Sequence, residues 1–257
     1  MKFLQSLAVQ VSLRTQGAIL ALGILFILLD LITEPMHPVI DLAWVTVIVC
    51  GLPLLINSVN SIWDNLEIHA NFLVVIAMVA LIAIGDYHTA AYVGIIVHTG
   101  FFLEQLITGE AHYTLDNDML PAMPAQLVAL RQGINNYSSV IVVAVMLLSM
   151  GSFALTQDFV HTVTLLLVLC PCSLELILVA LMMGSLVDDN SPVSELSKGA
   201  KQSHLGLLIV SILFHVAIIG TGVLGLIDPV TAVALHGLAR LGLVYNLKVL
   251  DGSLCVA

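Results

Sequence analysis

The sequence predicts an all-α, polytopic membrane protein with eight transmembrane helices. Three observations predict it. First, 60% of the 257 residues are hydrophobic and only 9% are charged, against about 45–50% apolar and about 25% charged in soluble domains. Mean hydropathy is +1.09. Second, the apolar residues gather into eight runs, most near the roughly 20 residues a helix needs to cross a bilayer. Third, the few Lys and Arg lie in alternate connections between the runs. These features exclude a soluble globular enzyme and a disordered chain. Seven Lys and Arg against 17 Asp and Glu leave no basic footprint for nucleic acid. Cys50, Cys170, Cys172 and Cys255 are not spaced as the disulfide framework of a small secreted domain.

The first run covers 15–33. The segment before it has no small-residue cleavage site, so the run reads as a retained helix. The second, 39–56, carries Gly51 and Pro53. It is expected to bend there, with Leu54–Leu66 continuing along the interface. The third and fourth, 68–85 and 89–107, flank the turn at Gly85-Asp86-Tyr87. The fifth is 137–155, the sixth 161–187, the seventh 205–227 and the eighth 230–250. The odd connections, EPMHP, DYH, TQDF and DP, are short and contain no Lys or Arg. The even connections and the termini hold Lys2, Arg14, Arg131, Lys198, Lys201 and Lys248. The positive-inside rule therefore puts both termini and the long loops on the cytoplasmic side of a cytoplasmic (inner) membrane. Those loops, 108–136 and 188–204, are too short for a catalytic domain of the usual 50 or so residues, though LPAMPAQLVALRQ suits a short helix.

The most specific motif is Cys170-Pro171-Cys172, inside the sixth run. Thiolates are soft ligands for Cu(I) and also suit Zn(II). Residues two apart on a helix face nearly opposite ways, but Pro171 opens the helix and lets both sulfurs face one ion. The alternative is a proline kink with two small apolar cysteines beside it.

With its surroundings, this motif resembles the membrane domain of the class IB, heavy-metal-transporting P-type ATPases. Their sixth helix carries Cys-Pro-Cys-Ala-Leu where this chain reads CPCSL. Their third and fourth helices are similar to NLEIHANFLVVIAMVALIAIGDYHTAAYVGIIVHTGFFLEQL, with Gly85-Asp86-Tyr87 at the turn and Glu104 at the end. Their last helix ends in Asn-Ala-Leu-Arg-Leu, and here Asn246 opens NLKVL. The resemblance runs from about Gly17 to Leu250 and implies two leading helices followed by six core helices.

The chain also departs from that family. The family inserts an actuator domain after helix four, and phosphorylation and nucleotide domains after helix six. Here those positions hold only the two short loops, and no Asp-Lys-Thr-Gly occurs. The resemblance therefore implies a membrane domain that binds no ATP and is not an enzyme. Phe101 stands where the family has a glutamate that admits metal, and Val179 replaces its second proline. Aligned on Asn246, His236 falls where some zinc- and cobalt-type members place a ligand. His215 in the seventh run is a second imidazole candidate, and imidazole suits Zn, Cu and Co. For either histidine the competing role is a hydrogen bond between helices.

Glu175 and Arg240 are ionisable groups inside hydrophobic runs, where isolation is expensive. Arg240 sits one turn beyond His236 on the same face. Two arrangements stand open. Glu175 and Arg240 pair across helices six and eight and convert the metal site into a structural ion pair; or Arg240 snorkels to the cytoplasmic face and Glu175 stays a ligand beside Cys170, Cys172, His236 and His215. His98 and Glu104, six residues apart, lie on different faces of the fourth helix. Met146 and Met150 fit packing better than ligation. The function expected is a catalytically inert subunit that uses its helical surface in a larger membrane complex, with the bilayer and other membrane proteins as partners. The alternative is a Cu(I)- or Zn(II)-binding protein that conducts, stores or delivers metal without ATP.

Overall fold

A computed structural model describes residues 13–33, 42–65, 71–108, 125–170 and 194–255. Among these lie eight α-helices and no strand: α1 (Leu13–Thr33), α2 (Ala43–Asn65), α3 (Asn71–Ala83), α4 (Tyr87–Thr108), α5 (Ala125–Thr156), α6 (Phe159–Val168), α7 (Ser194–Val223) and α8 (Pro229–Cys255). Each matches one predicted run in order. Four of them, α1, α2, α5 and α7, contain stretches long and apolar enough to cross a membrane. The apolar helices Asn71–Ala83, Phe159–Val168 and Pro229–Tyr245 are shorter.

Three boundaries differ from expectation. Helix α2 runs unbroken through Pro53 to Asn65, so Leu54–Asn65 continues the helix and is not a separate segment. A proline removes one N–H from the ladder, and the helix continues on both sides of it. Helices α5 and α7 begin at Ala125 and Ser194, well inside the predicted loops 108–136 and 188–204. AQLVALRQ, part of the segment read as a short helix, proves continuous with the fifth run, and SELSKGAKQ is a polar stretch that hydropathy passes over. The stretch 171–187 of the sixth run lies outside the described residues.

The burial pattern is that of a membrane bundle. The apolar stretch of α1 is only 11% buried, and Leu25, Leu28 and Ile32 are exposed. The polar side chains Asp30, Thr46, Ser58, His98, Ser149, Thr164, His215 and His236 are buried. Apolar surface needs no cover in lipid, whereas a polar group there must find a partner inside the protein.

The short turns share one design. Gly85 and Gly225 take positive φ, 85° and 67°. Asp86 N–H donates to the Leu81 carbonyl and Gly85 N–H to that of Ile82, while Leu226 donates to Thr221 and Gly225 to Gly222. Both are Schellman ends, which need the left-handed backbone that glycine adopts freely. An aspartate then caps the following helix. Asp86 accepts from Thr89 N–H and Asp158 from His161 N–H, and Asp228 accepts from the Thr231 hydroxyl. Asp86 and Asp158 each satisfy an orphan backbone N–H at a helix start. These turns gather at one end of the bundle. There Asp30 near the end of α1 accepts from Leu42 N–H and contacts His88 Nε2, each at 2.8 Å. Trp44 stacks on Tyr87 with ring centroids 4.8 Å apart.

Helix α4 packs on α1, α2, α3 and α8, and α6 packs on α3, α5, α7 and α8. Where α1, α2 and α4 meet, glycines admit Cys50. A Cβ on Gly94 would lie 2.9 Å from Cys50 Cβ, and one on Gly23 would lie 3.0 Å from Cys50 Sγ. Small residues permit this close approach of membrane helices.

The turn before α8 carries a pH dependence. The Thr231 hydroxyl holds the Asp228 carboxyl below its ordinary value, burial opposes this, and nearby backbone amides add to the lowering. A depressed carboxylate contributes stability above the ordinary aspartate value of about 3.9, and that contribution is lost as pH falls through the lower folded value. The stability difference between wild type and Asp228→Asn, measured by thermal unfolding in detergent, is expected to be constant from pH 8 to 5 and to shrink below about pH 4.

Candidate functional site

The candidate residues sit on α4, α6 and α8, at the junction that α4 organises. Helix α6 ends at Val168, and Leu169 and Cys170 follow as a turn, the amide of Cys170 reaching back to the Leu167 carbonyl at 3.4 Å. Cys170 is buried, with 8% of its surface exposed. It lines a cavity of about 50 Å³ together with Val74, Phe101, Leu167, His236 and Arg240. His236 and Arg240 are one turn apart on α8, so both face this cavity, as their spacing predicts.

His215 of α7 meets His236 edge to face, with ring centroids 5.5 Å apart. The Nδ1–H of His215 donates to the Ser211 carbonyl at 2.7 Å. In a neutral ring that bond leaves the lone pair on Nε2, the tautomer needed for metal ligation. Three of the predicted metal residues, Cys170, His236 and His215, thus fall in one neighbourhood. One thiol and two imidazoles suit a soft or borderline ion. Among the described residues, however, no three His, Cys, Asp or Glu side chains gather into a group that could hold a metal ion. Pro171, Cys172 and Glu175 lie outside the described residues. Of Asn246 only the helical backbone within α8 is described.

Arg240 has a partner that the sequence reading did not assign. Its Nη2 lies 2.9 Å from Glu104 Oε2, with both side chains about one quarter exposed. Its guanidinium also lies 5.3 Å from the centre of the Phe101 ring. Phe101 and Glu104 are one turn apart on α4, so a single face offers both an aromatic surface and a carboxylate. That spacing was the available signal. Glu104 thus holds the Arg240 guanidinium against α4. Whether Glu175 also reaches Arg240 falls outside the described residues.

His98, on a different face of α4, also has a definite role. It is 2% exposed, and its Nε2–H donates to the Cys50 carbonyl at 2.7 Å. Its Nδ1 lies 3.4 Å from the side-chain amide of Gln16, and its ring meets Phe101 edge-on, centroids 6.2 Å apart. Cys50 lies three residues before Pro53 on α2. Pro53 lacks the N–H that would reach the Val49 carbonyl one turn back, and the next carbonyl, that of Cys50, accepts from His98 on the neighbouring helix. The same bond fixes α2 against α4.

No protein-family model, no curated protein and no solved structure matches the chain.

The His98 bond makes a prediction. Replacing His98 with Ala is expected to cost about 1–3 kcal/mol, the cost of a buried polar group left unmatched. His98→Gln, whose side-chain amide keeps a donor, is expected to lose less. Chemical denaturation of both variants in detergent checks this, and an unchanged stability in His98→Ala contradicts the role assigned to His98.

Proposed function

We propose that the chain is a membrane subunit with eight membrane-crossing helices and cytoplasmic termini, derived from a heavy-metal P-type ATPase membrane domain, that carries out no catalysis and acts through its helical surface in a larger membrane complex. The observation that carries this proposal is the Glu104–Arg240 pair. It places a guanidinium on the wall of the cavity lined by Cys170 and His236. A fixed cation there opposes a passing metal cation: two unit charges about 4 Å apart in an effective dielectric near 20 repel by about 4 kcal/mol. Glu104 offsets part of that repulsion, but as the partner of Arg240 it is no longer free to ligate. A helix interface stabilised in this way is suited to assembly more than to conduction.

The membrane assignment rests on the four long apolar helices, together with apolar faces turned outward on α1, α5 and α7. The orientation rests on the Lys and Arg of the long loops. The short turns at the opposite end carry aspartate caps and no Lys or Arg.

A second proposal is favoured by the neighbourhood of Cys170, His236 and His215: a Cu(I) or Zn(II) site that stores or delivers metal without ATP. Metal analysis separates the two. In the assembly proposal, purified protein carries metal well below one ion per chain and co-purifies with fixed membrane partners, and Cys170→Ser with Cys172→Ser changes neither. About one Cu or Zn per chain, lost in that double variant, would establish the metal-binding alternative.

A further inference from the structure

Helix α2 packs on α1, α3 and α4. Ala43, Val47, Cys50, Leu54 and Ser58 are its buried positions on one side. The other side carries Trp44, Ile48, Leu52, Leu55, Val59 and Trp63, all exposed. Steps of three or four residues keep these six on one stripe along the whole helix. Because α2 is unbroken at Pro53, the stripe continues through its second half.

The polar groups of that half stay off the stripe. Ser58 is buried, and its hydroxyl donates to the Leu54 carbonyl. The amide nitrogen of Asn60 is buried. Asn57 is exposed, but it stands two residues from both Leu55 and Val59 and so points away from them. It lies three turns beyond the buried Thr46, on the same side of the helix.

Two features identify what covers the stripe. Helices that associate within a bilayer meet through small residues and polar side chains, and the stripe has neither. The small residue of this region is turned inward instead: a Cβ on Gly51 would lie 3.3 Å from the methyl group of Met78 on α3. The second feature is the pair of tryptophans. Trp44 stands at the end with the short turns, stacked on Tyr87, and Trp63, 77% exposed, stands near the other end. They are nineteen residues apart, about 28 Å at 1.5 Å per residue. The hydrocarbon core of a bilayer is about 30 Å thick, and tryptophan gathers at its two interfaces, where the ring is apolar and the N–H stays wet.

We propose that α2 binds lipid along this stripe from one headgroup layer to the other, with Trp44 and Trp63 as anchors in opposite leaflets. The segment after Pro53 then lies within the hydrocarbon and not along its surface. No protein docks on this face, so a partner in the assembly proposed above must use another. The proposal rests on the membrane reading given there and is independent of any metal site.

Contact quenching of tryptophan fluorescence tests it. The chain holds two tryptophans, so Trp63→Phe and Trp44→Phe each leave one reporter. A third variant replaces both with Phe and adds Leu55→Trp, at an exposed position about 16 Å along the helix from Trp44 and about 12 Å from Trp63. Each full-length variant would be reconstituted in phosphatidylcholine vesicles brominated at the sixth and seventh or at the eleventh and twelfth acyl carbons, with unbrominated vesicles as reference. Trp44 and Trp63 are expected to lose more fluorescence to the shallow bromines, and Leu55→Trp more to the deep ones. Shallow, deep and shallow in that order on one unbroken helix means that it crosses the bilayer. A greater loss to the shallow bromines in Leu55→Trp, as for a helix lying along the surface, would overturn the proposal. So would the absence of quenching in that variant alone, as for a face covered by a second copy of the chain. Absence of quenching in all three variants would overturn the membrane reading as well.

Discussion

A helix packed inside an apolar bundle leaves a buried polar side chain unmatched only at a cost, and α4 meets this constraint against three of its neighbours. Three of its side chains, at three heights, tie it to three different neighbours. His88 meets Asp30 of α1, His98 donates to the Cys50 carbonyl of α2, and Glu104 pairs with Arg240 of α8. Between the first two, Gly94 lets α2 approach closely. Apolar packing supplies little that discriminates one neighbour from another in lipid, where tails are as apolar as leucine. The polar contacts therefore carry much of the specificity. Without them α4 could rotate or slide against α1, α2 and α8 at little cost.

The same constraint bears on function. A transport path needs polar ligands that release one partner and accept another. Arg240 is instead held twice on α4, by the carboxylate of Glu104 and by the face of Phe101. Phe101 is also touched by His98, so the buried contact to α2 and the ion pair to α8 share one aromatic ring. The junction next to Cys170 and His236 is built to stay in place. This is the physical basis for preferring an assembly role, and it holds whether or not the chain shares ancestry with metal pumps.

Much of the fold was legible in the sequence, because hydropathy and turn chemistry are local. The eight runs appear in order as eight helices. Gly85-Asp86 and Asp228-Pro229 could be read as turns, and both prove to be helix ends followed by aspartate caps. The start of α7 was not legible, because a helix continues into polar sequence where hydropathy falls, whereas AQLVALRQ was read as helix but not as the beginning of α5. Pro53 signals a bend but not that the helix carries on to Asn65, and the bond from His98 to α2 is invisible to any local pattern. For the site, one-turn spacing correctly put His236 and Arg240 on one face. The partner of Arg240 was a different matter, since a long-range ion pair depends on which helices adjoin. Glu175, the partner weighed from the sequence, lies outside the described residues, and α4 brings Glu104 to Arg240.

The central claim is that Glu104 and Arg240 form a coupled structural pair between α4 and α8, and a double-mutant cycle tests it most directly. Stability would be measured by chemical denaturation in detergent for wild type, Glu104→Gln, Arg240→Met and the double variant. Each single change is expected to destabilise, and the double variant to be less destabilised than the sum of the singles by about 0.5–3 kcal/mol, the range for residues in direct contact. Additive losses, with no coupling between the two positions, would contradict the account.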